Sequence, residues 1–283
     1  MELNKMQKVA IIGADGNLGG QLIKDFSKYY PVIGTCYEKE LENMIYLDIT
    51  DKEEVSNFLK KENPDIILLT SAMTNVGACE INPKQAMEIN YFGVENIVNN
   101  CKNRKLVFYS TDAIFDGTKK EYVEEDIPNP INIYGKSKLK AENLVKTLPS
   151  YLICRTSRFY GPGGNKFVNK MIDILEKGEE LKAPINTTGS ITFIEDISRA
   201  TLELVKKQKT GIYHIVSEGA YSLDEIAFKI ANIFEFNASL ITVVETDYFN
   251  TEVKRANVVL NTSKFKKEKI KMSTLEEGLE KLK

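Results

Sequence analysis

Short apolar runs alternate along the chain with longer segments whose apolar residues recur at helical spacing. Val9 to Ile12 is the first run. A glycine-rich turn follows, and Leu18, Leu22, Ile23 and Phe26 then recur on what would be one helix face. "PVIGTCY" and "MIYLDIT" read as the second and third strands, "DIILLT" as a fully apolar fourth, "KLVFYS" as a fifth and "YLICRTS" as a sixth. Between them, "DKEEVSNFLKKEN" predicts an amphipathic helix with Asp51 near its start and Pro64 after its end. "NPKQAMEINYFGVENIVNNCKN" predicts one long helix with Pro83 in its first turn, and "NIYGKSKLKAENLVKTL" a helix capped by Asn132.

Strands that alternate with helices and are apolar on both faces belong to a parallel sheet covered on both sides. The expected class is α/β, a Rossmann-type doubly wound parallel sheet with a smaller C-terminal substrate-binding lobe. Residues 1–160 are assigned to the nucleotide-binding unit and 161–283 mainly to the lobe, with about 187–218 returning to the first unit. In the second half "NKFVNKMIDILEKG", "EDISRATLELVKK" and "SLDEIAFKIANIFEF" read as helices, and "GIYHIVS" as a strand that rejoins the sheet.

Composition narrows the function classes. A formal net charge of -2 gives none of the basic excess of a nucleic-acid binder. The lysines at 264, 266, 267, 269 and 271 read as a solvated face. Cys36, Cys79, Cys101 and Cys154 form no C-x-x-C pair and are expected to pack as small apolar side chains. His214 is the only histidine, so a His-rich metal site is excluded, and a Ser-His-Asp hydrolase would have to use that residue. Neither a secretory leader nor an apolar run of about 18 residues is visible. A cytoplasmic protein with no membrane partner is expected.

Gly13, Gly16 and Gly19 form G-x-x-G-x-x-G between the first strand and the first helix. Such a turn lets backbone approach a pyrophosphate, and the helix start offers free N–H groups to it. Asp15 is expected to face outward from this loop. The wider first gap is typical of short-chain dehydrogenase/reductases of the extended type. An acid at the end of the second strand would bond the ribose of NADH. Here Cys36 or Tyr37 holds that position, Glu38 follows, and no arginine is present. NADPH or NADH therefore fits, with a slight lean to NADPH. Asp48 after the third strand either bonds the adenine amino group or serves as a turn or capping residue.

Tyr134 and Lys138 in "YGKSK" lie one helical turn apart, either as a proton donor with its supporting cation or as a surface pair. Ser110 and Thr111 end the fifth strand, at the sheet edge where ligands bind. Thr111, Tyr134 and Lys138 then form a reductase constellation. The threonine can hold a carbonyl, the tyrosine can protonate an alkoxide, and the ammonium can lower the tyrosine pKa and bond the nicotinamide ribose.

The sequence resembles the dTDP-4-dehydrorhamnose reductase family over nearly its whole length. "GADGNLG", "NPDIILLTSAMTNVGACEINPKQAMEIN", "YSTDAIFDG", "PINIYGKSKLKAE", "RTSRFYGPGGNKFV", "TFIEDISRA" and "KRANVVLNTSKF" carry the resemblance, the last without the proline that usually follows its arginine. It implies Thr111, Tyr134 and Lys138 as catalytic residues. Toward the cofactor it implies Gly13, Asp15, Gly16, Asn17, Leu18, Gly19, Asp48, Ile49, Ser71, Ala72, Thr74 and Asn90, together with Tyr134 and Lys138. Thr111, Asp112, Arg158 and Arg255 are implied for a nucleotide-sugar substrate, with Arg255 on the diphosphate or else half of a surface Lys-Arg pair.

Arg158 stands where the family commonly has Trp, so it faces a different hexose, meets a negative group or turns outward. Some relatives are metal-linked dimers, which makes a homodimer the implied assembly. Glu195 and Asp196 lie in a matching segment, but two adjacent acids make no metal site, and none is assigned. The expected reaction is NAD(P)H-dependent reduction of a 4-keto group, dTDP-4-dehydrorhamnose to dTDP-L-rhamnose. The alternatives are a reductase or epimerase of another UDP- or GDP-sugar, and a non-catalytic regulatory subunit like that of methionine adenosyltransferase, which "EEDIPNPINIYGKSKL" also resembles.

Overall fold

In the computed structural model, residues 6–37, 41, 43–101, 103–162, 167–245 and 256–283 are described. The first half runs β1 (Val9–Ile12), α1 (Asn17–Phe26), β2 (Val32–Cys36), β3 (Ile45–Tyr46), α2 (Lys52–Glu62), β4 (Ile66–Leu69), α3 (Val76–Ile81), α4 (Pro83–Met87), α5 (Gly93–Asn99), β5 (Lys105–Thr111), α6 (Ile133–Val145) and β6 (Tyr151–Thr156). The second half runs β7 (Arg158–Tyr160), α7 (Phe167–Glu176), β8 (Leu181–Pro184), β9 (Ile191–Phe193), α8 (Ile194–Lys206), β10 (Gly211–His214), α9 (Leu223–Phe234), β11 (Ile241–Val244), α10 (Ser263–Lys266) and α11 (Leu275–Glu280).

Seven parallel strands form the main sheet in the order β10-β6-β5-β4-β1-β2-β3. The order reverses between β1 and β4, which opens a crevice at the carboxyl ends of those strands. Alternate side chains serve two cores. Val9, Ile11, Leu68, Val107 and Tyr109 pack under α1 and α8. Ala10, Ile12, Ile67, Leu69, Leu106 and Phe108 pack under α2, α5 and α6. Fully burying one such Leu, Ile or Phe side chain is worth about 1.5–3 kcal/mol. A third core joins α7, α9 and α11 with Leu181, Ala183, Ile191 and Phe193 of the small sheets. "GIYHIVS" does rejoin the main sheet, as β10 beside β6.

Local chemistry explains the element ends near the crevice. Asp51 caps α2, accepting from Glu53 N at 2.8 Å and Glu54 N at 2.9 Å. Asn132 caps α6 by accepting from Gly135 N at 2.8 Å. The long helix expected after Pro83 is interrupted by a π-helical stretch at Glu88–Phe92. It turns Asn90 inward, where the side chain is fully buried. Periodicity gives no signal for α3 or for the short strands β7, β8, β9 and β11, which are too brief to show a period. All four cysteines are buried. Among the described residues no helix is long and apolar enough to cross a membrane.

Candidate active site

β1 ends in the glycine turn. Gly13 has φ of 87°, in the left-handed region, and a Cβ there would lie 2.5 Å from Ser71 Oγ. A Cβ on Gly19 would lie 2.1 Å from the Gly13 carbonyl oxygen. Gly16 begins α1 with no side-chain cap, so the first N–H groups of that helix have no side-chain partner. An uncapped helix start behind a glycine turn is an anion cradle, and it fits a pyrophosphate. Thr70 Oγ1 donates to the carbonyls of Ile12 at 2.8 Å and Gly13 at 2.9 Å, tying the ends of β1 and β4 together.

Of the other expected loop residues, Asp15 and Asn17 are exposed, while Leu18 packs its side chain into the core. Asp15 Oδ2 accepts from Tyr37 N at 3.2 Å, which joins the loop to the end of β2. There Cys36 is buried and Tyr37 is exposed beside Tyr46. Glu38 lies outside the described residues. Asp48 Oδ1 accepts from Thr50 N and Thr50 Oγ1, both at 2.8 Å, so this oxygen closes a turn. Ile49 is buried and so close to α5 that a Cβ on Gly93 would lie 2.8 Å from its side chain.

Ser71 and Ala72 are partly buried at the crevice, and Thr74 is exposed. Asn90 clamps the same segment. Its Oδ1 accepts from Met73 N at 2.8 Å, and its Nδ2 donates to Met73 O and to Ser137 Oγ, both at 3.0 Å. Ser137 Oγ in turn donates to Tyr134 O at 2.8 Å. Asn90 therefore ties the loop after β4 to the helix that carries Tyr134 and Lys138.

Thr111 ends β5, and α6 brings the Tyr134 phenol close enough for the Thr111 hydroxyl to act on it. The helix can approach because residue 135 is glycine, where a Cβ would lie 2.0 Å from Ala113 O. Burial pushes the Tyr134 phenol well above its ordinary value, the nearby Thr111 hydroxyl pulls it back, and Asp112 and Cys79 push it up. Lys138, one turn further along α6, is buried. Its ammonium sits 4.1 Å from the centroid of the Phe108 ring, a cation–π contact. Burial pushes it down to about 7, partly offset by Glu142.

The direction of that change fixes a pH dependence. A lysine whose folded value lies below its unfolded one contributes stability that is present above the unfolded value and lost as pH falls through the folded one. The unfolding free energy of the wild type should therefore rise relative to Lys138→Met between pH 7 and 10.5. The expected gain is about 1.4 kcal/mol for each step of one in pH. Denaturant titrations across that range check it, and parallel pH curves for the two proteins would exclude it.

Asp112 and Arg158 lie beside the trio. Thr111 Oγ1 donates to Asp112 Oδ1 at 3.1 Å, and Ser157 Oγ donates to Asp112 Oδ2. Burial raises the Asp112 carboxyl, restrained by Ser157, the Arg158 guanidinium and Thr111. Arg158 is anchored, donating to Thr187 O at 2.5 Å, and a Cβ on Gly189 would lie 2.7 Å from its Nη2. Arg255 lies outside the described residues. Asp196 is used inside the fold, accepting from Ser273 N at 2.6 Å and pairing with Arg199.

Sequence reading missed the buried pair behind the site. Arg155 Nε and Nη2 donate to Glu142 at 3.0 and 2.9 Å, and Nη1 donates to Glu124 O at 3.1 Å. His214 lies against this pair, its Nδ1 donating to Asn261 O at 3.1 Å. Burial and Arg155 push it down to about 3. It is neutral and fully buried, and so unfit as the base of a triad. Ser157 was also missed. The register Thr111↔Thr156 places it beside Asp112, one residue beyond each strand. Its place after an apolar strand was the only sequence signal.

Known proteins are similar to this chain. The family model described as RmlD substrate binding domain matches residues 6–282. A dTDP-4-dehydrorhamnose reductase from Aggregatibacter actinomycetemcomitans is 32% identical over 276 residues, covering 92% of each chain. The crystal structure of dTDP-4-dehydrorhamnose reductase from Bacillus anthracis, in complex with NADP, superposes with a TM-score of 0.90 at 31% identity. It covers 97% of this chain and 98% of its own. The UDP-glucose 4-epimerase of Thermus thermophilus, in complex with NAD, has a TM-score of 0.84 at 18% identity, covers 96% of each chain, and shares the fold alone.

Proposed function

Since the chain belongs to the dTDP-4-dehydrorhamnose reductase family, we propose that it is an NAD(P)H-dependent oxidoreductase that converts dTDP-4-dehydrorhamnose to dTDP-L-rhamnose. The observation that supports this reading is that Thr111 ends β5 at the carboxyl edge of the sheet, while Tyr134 and Lys138 lie one turn apart on α6, which packs against that strand. The Asn90 clamp couples them to the segment beside the glycine cradle.

Gly13, Gly16 and Gly19 with the start of α1 hold the pyrophosphate. Asp15, Asn17, Leu18, Asp48, Ile49, Ser71, Ala72 and Thr74 shape the rest of the cofactor crevice, Leu18 and Ile49 through their packing. The nicotinamide, when bound, supplies the hydride. Tyr134 donates its proton to the carbonyl oxygen as that atom becomes an alkoxide. Thr111 steadies the oxygen, and Lys138 supports the charge and the ribose. Arg158 and Arg255 serve the substrate.

Residues 1–160 form the dinucleotide-binding unit and 161–283 mainly the substrate lobe, with about 187–218 returning to the first. Residence in the cytoplasm and a homodimeric state complete the proposal, and fractionation and light scattering test them.

The decisive experiment is NADPH oxidation by the purified protein offered dTDP-4-dehydrorhamnose generated in place. Oxidation that requires the keto-sugar supports the reading. Bound NADPH with no turnover would overturn the assignment and send the search to UDP- and GDP-keto-sugars.

A further inference from the structure

β2 ends at Cys36, with Tyr37 just beyond it. In a sheet of this order the adenosine ribose of a dinucleotide lies at that strand end. Cys36 is 2% exposed, so its side chain belongs to the core and cannot meet a ribose. Tyr37 is 66% exposed and uncharged, and its ring lies 6.1 Å from that of Tyr46 at the end of β3. A charge reaches this place from the glycine turn instead. Ala14 N donates to Thr35 O at 2.7 Å, and Tyr37 N donates to Asp15 Oδ2 at 3.2 Å. These two bonds lay the turn along the end of β2 and fix the Asp15 carboxylate there. Asp15 is exposed. Among the described residues no ion pair involves it.

NADH and NADPH differ at that ribose. One has a 2′-hydroxyl, and the other a phosphate monoester with a charge of about -1.5 to -2 at pH 7. A carboxylate beside this position accepts from the hydroxyl and repels the phosphate. Like charges about 4 Å apart repel roughly four times more strongly near a protein surface than in bulk water. Against a phosphate this amounts to a factor of about ten to a hundred in affinity.

We propose that Asp15 sets the cofactor preference and makes the protein select NADH over NADPH. The proposal rests on the reading of the glycine turn as the dinucleotide cradle. It reverses the preference inferred from the strand end by itself. Sequence reading looks for the acid on β2, and here the acid comes from 22 residues earlier in the chain. Asp15 also ties the turn to β2, and the two roles are separable. Asparagine keeps an acceptor for Tyr37 N and removes only the charge.

Calorimetric titration with NADH and with NADPH, in the absence of sugar, compares wild type, Asp15→Asn and Asp15→Ala. Wild type should bind NADH about ten- to a hundredfold more tightly than NADPH, and Asp15→Asn should tighten NADPH by about that factor. Asp15→Ala should shift the ratio of the two constants in the same direction. Ionic strength gives an independent readout, because charge repulsion is screened beyond about 10 Å at 0.1 M salt and about 3 Å at 1 M. The wild-type ratio of NADPH to NADH dissociation constants should fall as salt is added, and the Asp15→Asn ratio should stay nearly flat. Wild type that binds NADPH as tightly as NADH overturns the proposal, as does Asp15→Asn with the wild-type ratio. A ratio changed in Asp15→Ala alone assigns Asp15 to holding the turn and overturns the role of its charge. Wild type that binds neither nucleotide overturns the cradle reading first.

Discussion

Tyr134→Phe is expected to lower kcat by about 10²–10⁴-fold, the usual worth of a positioned general acid, while NADPH still binds. Among the described residues, the phenol is the acidic hydroxyl that α6 brings to Thr111. Phenylalanine keeps the ring and its packing and removes the hydroxyl with its proton. The fold should survive, because Tyr134 is only partly buried and its ring belongs to none of the four apolar cores. Steady-state kinetics with the keto-sugar read the loss, and NADPH fluorescence titration reads binding. Wild-type turnover by this variant would remove Tyr134 from the chemistry. Loss of NADPH binding as well would point to a role in shaping the crevice.

Arg155→Met should destabilise the protein by about 3–5 kcal/mol, the cost typical of stranding one partner of a buried ion pair. Glu142 is fully buried and Arg155 is 1% exposed. Burial alone would raise the Glu142 carboxyl, and the two-pronged Arg155 contact holds it below its ordinary value. Without Arg155, the main remaining ion-pair partner is Lys146 at 3.5 Å, whose side chain is 31% exposed. A carboxyl held low contributes stability that is present above its unfolded value and lost as pH falls through the folded one. The wild-type advantage over Arg155→Met should therefore shrink in acid, below 4.5. Replacing both partners with apolar residues should recover most of the loss, since no charge is then stranded. Denaturant unfolding of the two single variants and the double variant checks the cycle. A double variant as unstable as the sum of the singles would show that the pair acts through packing alone.

The two predictions touch the same helix at different depths. Tyr134 faces the crevice, and Glu142 lies two turns further along α6. Lys138 sits between them, buried over Phe108. The ion pair thus anchors the element that carries the proposed catalytic residues, and its loss should reach activity through the position of α6.

Much of this was legible in the chain. Alternating apolar strands and amphipathic helices determined a parallel sheet, because only a sheet covered on both faces can use strands with no polar side. The glycine spacing determined the tight turn between β1 and α1, because Gly13 and Gly19 leave no room for a side chain. The Asn132 cap and the Tyr134–Lys138 spacing marked the helix of the candidate site. Long-range pairing decided the rest. The π turn that buries Asn90, the Arg155–Glu142 pair, the Ser157–Asp112 contact and the lysine held over Phe108 join residues from separate elements. Periodicity records which face a residue shares with its neighbours along the chain. Which strand edge lies beside it, and so which charge it meets and how much water it keeps, depends on sheet order and register, and those exist only once the chain has folded.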